Sequence, residues 1–157
     1  MEPCFADVTE RLHFLYTKIS KAIQDLPVDA LDWVPMPGAN AIGALVVHLI
    51  GAERYWIATV IGGEPSDRVR ESEFLAAGFT AFDLQQRLDG LERFEPSVLG
   101  TLRLDDLVRT CLVPRDGRSV TVGLALAHVV EHTAIHVGHI QLTHQMCDQR
   151  QGGARQS

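Results

Sequence analysis

A chain of 157 residues is long enough to bury one core, and 46 % hydrophobic with 22 % charged residues excludes a disordered composition. A net charge of −6, with no cluster of Lys and Arg to offset it, argues against a nucleic-acid surface. The cysteines, Cys4, Cys111 and Cys147, are odd in number and widely spaced, so no disulfide framework is expected. With no targeting pattern over Met1–Asp7, the expected location is cytoplasmic.

Four stretches carry a helical pattern. The first spans about Asp7 to Leu26, where Leu12, Leu15, Ile19, Ala22, Ile23 and Leu26 form one apolar stripe ending at Pro27. The second is predicted from an N-cap at Asn40 to about Ile61, before Gly62-Gly63. Its apolar run, Ala41–Gly51, is interrupted by His48 and followed by Glu53 and Arg54, so no membrane span is expected. A short helix around Glu71–Ala76 is expected in the connection that follows.

The third long helix covers about Phe82 to Leu99, with Leu84, Leu88, Leu91 and Phe94 or Glu95 in step; Pro96 makes its end ambiguous. Two β-leaning runs, Val108–Val113 and Arg118–Thr121, flank Pro114-Arg115-Asp116-Gly117 and predict a small hairpin. The last helix is expected from about Val120 to Met146, with Gln149–Ser157 as a disordered C-terminal tail. The expected architecture is all-α: one four-helix bundle over residues 1–148, with an irregular hairpin insertion before the last helix.

Four of the seven histidines fall within one stretch, at His128, His132, His136 and His139. Steps of four put the first three along one helix face. Eight residues of helix cover about 12 Å, and a metal–imidazole bond is about 2.1 Å, so one ion cannot hold both His128 and His136. A single helix can therefore offer only an adjacent pair, and a third ligand must come from elsewhere. His48, centred in Ala44-Leu45-Val46-Val47-His48-Leu49-Ile50, is the candidate, since an unpartnered ring there would be costly to bury. A lone buried histidine is more often a hydrogen-bonded core residue than a ligand. The conjunction with an i, i+4 pair is what points to a metal site. The spacing alone leaves the pair open between His128/His132 and His132/His136.

Asp32-Trp33-Val34-Pro35, Asn40-Ala41-Ile42-Gly43, the run His48 to Trp56 and the block His128 to Leu142 resemble the DinB-like superfamily of metal-binding four-helix bundles. That superfamily also contains bacillithiol- and mycothiol-dependent enzymes. The resemblance implies ligands at His48, His132 and His136, with His128 one turn back. Where relatives carry Arg-Gly-Gln after the last ligand, this chain has Val137-Gly138-His139. It also implies one divalent ion (Zn, Ni, Fe or Mn) and a homodimer. The implied activity is a metal-dependent thiol S-transferase using a low-molecular-weight thiol, or a related hydrolase, acting on a small molecule. The alternative is a non-enzymatic, stress-related metal or small-molecule binding protein. Tyr55, two turns beyond His48, could border the site or be a core aromatic. Glu53 and Glu131 are expected off the ligand face, solvated or supporting the ligands.

Overall fold

The computed structural model describes residues 1–154. Its elements in chain order are α1 (Pro3–Ile23), a helical turn α2 (Val28–Leu31), α3 (Ile42–Arg54) continuing as a π-helical segment (Tyr55–Ile61), a second turn α4 (Arg70–Glu73), α5 (Ala81–Leu99), a 3₁₀ turn (Leu104–Val108), strands β1 (Thr110–Leu112) and β2 (Ser119–Thr121), and α6 (Val122–Ala154). Around the bundle α6 packs on α1 and α3, and α5 closes the ring against both of those helices.

The apolar stripes carry this arrangement. Phe5, Leu12 and Ile19 of α1 meet Ile42 and Leu49 of α3, Leu84 and Leu88 of α5 and Ile140 of α6, all fully buried. Each such side chain contributes about 1.5–3 kcal/mol relative to exposure. The stretch Ile42–Ile61 is long and apolar enough to cross a membrane, but 78 % of its most apolar window is buried inside the fold. It is the bundle's central helix, exposed only along a stripe through Val47, Ile50, Gly51 and Arg54.

Several boundaries differ from those the sequence predicts. Helix α1 starts at Pro3, where the missing proline N–H costs nothing, and ends at Ile23 because Asp25 turns into a left-handed conformation (φ 62°) before Pro27. Asn40 is not a cap: α3 starts one residue later, with Ala41 at the cap and no side-chain bond. The expected short helix at Glu71–Ala76 is a single turn, Arg70–Glu73. Helix α5 has the sharper start, a capping box. Thr80 Oγ1 accepts from Asp83 N at 3.1 Å, and Thr80 N donates to Asp83 Oδ2 at 3.0 Å. Pro96 does not end α5, since it lies in the last turn and the helix continues to Leu99.

The hairpin forms as expected, pairing Thr110 with Thr121 and Leu112 with Ser119. Gly117 supplies the positive φ (73°) its turn requires. Helix α6 runs past Met146 through Gln149–Ala154, within the stretch expected to be a disordered tail, and takes in Gly152-Gly153. Arg155–Ser157, the rest of that expected tail, lie outside the described residues.

Candidate metal centre

Helix α3 supplies His48 and α6 supplies His132 and His136. One ligand nitrogen from each lies within 4.8 Å of the others, the one group of three or more potential ligands among the described residues. His132 Nε2 and His136 Nε2 are 3.2 Å apart. Two nitrogens at about 2.1 Å from a common tetrahedral or octahedral ion would stand roughly 3.0–3.4 Å apart. The donor set fits a divalent ion on that observation. Of the two histidine pairs left open by spacing, His132/His136 is the one that His48 approaches. His128 turns instead toward Trp56, its ring centroid 4.5 Å from the indole, and His139 is exposed.

Electrostatics prepares these rings to bind. Burial first, and neighbouring imidazoles second, push the pKa of His132 down to about 3. Burial and His48 likewise lower His136 to about 4. Both are neutral at pH 7, the form that donates a lone pair.

His48 is buried and oriented from behind. Its Nδ1 lies 2.9 Å from Glu73 Oε2, and the Phe74 ring stacks on it at 4.2 Å. With Nδ1–H donating to the carboxylate, Nε2 is left as the ligand nitrogen. Glu73 is itself clamped: Arg68 Nε and Nη2 each donate to its carboxylate at 2.7 Å. Burial opposes ionisation of Glu73, but the bonds from Arg68 and His48 outweigh it and hold its pKa below the ordinary value. Gly51, one turn beyond His48, leaves room for this carboxylate. A Cβ there would come within 2.8 Å of Glu73 Cδ.

Glu131 is exposed as expected, but Glu53 is not solvated. It is buried in the core with Tyr16, Glu95 and Thr133. The Tyr16 hydroxyl is hydrogen-bonded to both Glu53 Oε1 and Glu95 Oε1, and Thr133 Oγ1 donates to Glu53 Oε2 at 2.9 Å. A phenol has one hydrogen, so a hydroxyl bonded to two carboxyl oxygens requires at least one carboxyl to be protonated. Burial raises Glu53 to about 8, offset in part by Thr133, and raises Glu95 to about 9.

Tyr55 is buried, with the Arg68 guanidinium 5.6 Å from its ring centre and its hydroxyl accepting from Arg115 N at 3.1 Å. It lines a cavity of about 760 Å³ formed by the end of the π-helical segment, the connector to α4 and the hairpin. The cavity wall includes Arg68, so it adjoins the Glu73–His48 pair, although the three histidines themselves do not line it.

The architecture is a helical bundle whose histidine triad could hold a metal ion. The family model described as the DinB superfamily matches residues 11–140, and the chain belongs to that superfamily. Among solved structures it is similar to a conserved protein from Enterococcus faecalis, with a TM-score of 0.77 at 12 % identity. That likeness covers 95 % of this chain and 99 % of the other, and it speaks for the fold. A search of curated proteins returns no match.

Proposed function

We propose that this DinB-superfamily protein is a metal-dependent enzyme of the thiol S-transferase type, or a related hydrolase, with His48, His132 and His136 holding one divalent ion. The observation that carries this reading is the convergence of three imidazoles, two with ligand nitrogens 3.2 Å apart. A bound ion of this kind lowers the pKa of a coordinated water or thiol, or polarises a carbonyl. The protein's own residues supply the rest. His132 and His136 stay unprotonated through burial, Glu73 fixes the tautomer of His48 by accepting its Nδ1 proton, and Arg68 fixes Glu73. Three protein ligands leave coordination positions for a substrate, which favours an enzyme over a closed structural site.

The second reading, a binding protein without catalysis, shares the same ligands and differs only in turnover. Metal analysis of protein purified without a histidine tag, followed by thiol-transfer assays with bacillithiol and mycothiol, with and without chelator, tests both. Stoichiometric metal with chelator-sensitive transfer supports the enzyme. Stoichiometric metal with no turnover on any thiol supports the binding role, and no bound metal overturns both. A homodimer belongs to the same proposal; sedimentation as a 17.3 kDa monomer at micromolar concentration would remove it.

A further inference from the structure

The cavity beside Tyr55 has a charge that the rest of the chain does not. In a protein of net charge −6, it is lined by Arg68, Arg70, Arg109 and Arg115 against one carboxylate, Glu64. Guanidinium groups crowded around a concave surface concentrate positive potential and draw in anions.

The partners of these arginines show which are free to bind. Arg68 is used up by its two bonds to Glu73. Arg109 gives its Nε to Asp106 at 3.1 Å. Its Nη1 donates to Cys111 Sγ and its Nη2 to Ile61 O, each at 3.4 Å and both on the cavity wall, and each of these nitrogens keeps one further N–H. Arg115 has a loose pair with Asp116 at 3.7 Å, with both side chains well exposed. Arg70 lies over the Phe74 ring at 4.9 Å and has no carboxylate partner among the described residues. Arg70 and Arg115 therefore remain available, and Arg109 keeps its remaining terminal N–H groups, for a carboxylate or phosphate, which guanidinium binds in bidentate fashion. Ile61 and Leu112 contribute apolar wall between them. A volume of about 760 Å³ is that of a small-molecule site.

We propose that this cavity is a binding site for a small organic anion, a carboxylate or phosphate on an apolar body, recognised by Arg70, Arg109 and Arg115. The site does not depend on the metal reading, because none of the three histidines lines it.

The test is calorimetric titration of the full chain, metal-loaded and chelated, with phenyl phosphate and phenylacetate as the two anionic probes. Benzyl alcohol serves as the neutral analogue. The expected result is binding of at least one anion in both metal states, about tenfold or more tighter than the alcohol and weakened by salt. The comparison between the two anions assigns phosphate or carboxylate. Arg70→Gln and Arg109→Gln should each weaken that anion about tenfold, the loss of one charge-assisted contact. Arg11→Gln, whose side chain lies over Phe14 on α1, should leave it unchanged. Melting temperatures check that each variant is folded. Equal affinity for the alcohol, or full affinity in both cavity variants, overturns the proposal. So does binding seen only with metal and abolished by His132→Ala, which would put the anion on the ion. Absence of metal from the purified protein would sink the metal reading and leave this titration intact.

Discussion

Two polar clusters lie side by side in this bundle, and both are built from α3 and α6. One is the imidazole group of His48, His132 and His136; the other joins Tyr16, Glu53, Glu95 and Thr133. Burial acts on them in opposite directions, pushing histidine pKa values down and glutamate values up. At neutral pH the outcome is the same: His132, His136, Glu53 and Glu95 are all uncharged. Access separates them. His132 and His136 are half-buried, whereas every member of the carboxyl cluster is buried. The first cluster is therefore open to solvent, while the second is sealed and ties α1, α3, α5 and α6 together.

The contrast breaks most visibly at the ligands. His48→Ala, His132→Ala and His136→Ala should each lose most of the bound metal, while His128→Ala and His139→Ala retain it, as measured on tag-free protein. Equal metal in the parent and His48→Ala would remove the three-histidine centre altogether.

Next in size is the pH dependence of metal-free stability. Glu53 and Glu95 have folded pKa values of about 8 and about 9, above the ordinary 4.5. Their contribution is complete below pH 4.5 and is lost as pH rises through 8 and 9, by up to ~1.4 kcal/mol per pH unit for each group. His132 and His136, with folded values of about 3 and about 4 against 6.5, show the reverse. Their contribution is present above pH 6.5 and is lost as pH falls through about 4 and 3. The trends oppose one another between 4.5 and 6.5. The chelated protein should show a plateau of melting temperature there and a decline on both sides. A melting temperature that keeps rising to pH 9 would contradict the protonated carboxyl pair.

Smaller effects sharpen the comparison. Glu73→Gln should weaken metal affinity ~10–100-fold in a chelator competition, because His48 loses the acceptor that fixes its ring. An unchanged affinity would mean that stacking on Phe74 alone orients it. Smallest is Tyr16→Phe, which should cost ~1–2 kcal/mol in urea unfolding yet leave metal content at the parental level. Metal loss in that variant would show that the two clusters are not separable.

Much of this was legible in the sequence because it is periodic or local. The stripes of α1 and α5 mark their buried faces, Asp116-Gly117 marks the hairpin, and the rise per residue rules out His128 with His136. The choice of His132/His136 needed the family resemblance, and the position of His48 opposite them needed the fold. Glu73 was illegible because it lies 25 residues from His48 on a connector with no pattern of its own. Glu53 lies off the histidine face as expected, but it is buried because the half-exposed stripe of α3 runs through Val47, Ile50, Gly51 and Arg54 and leaves Glu53 on the core side. The signal for Glu95 was present: it falls in step with Leu84, Leu88 and Leu91, where a carboxylate is anomalous. The π-helical turn of Tyr55–Ile61 has no local sequence cause that we identify.

Two of the three proposed ligands are anchored in one long helix, but the third is steadied from outside the bundle. Glu73 and Phe74 reach His48 from a single turn on the connector, across the bare backbone of Gly51. Local excursions of such a segment need far less energy than global unfolding. The consequence is kinetic: the residence time of an ion should follow the opening of this flap and not the breathing of the bundle. Gly51→Ala would wedge the flap away from His48, and faster metal release with little change in global melting is the expected signature. Release that slows in step with global stability would place the gate elsewhere. On this view the connector works as a latch, setting how long the centre stays loaded while the histidines set whether it loads.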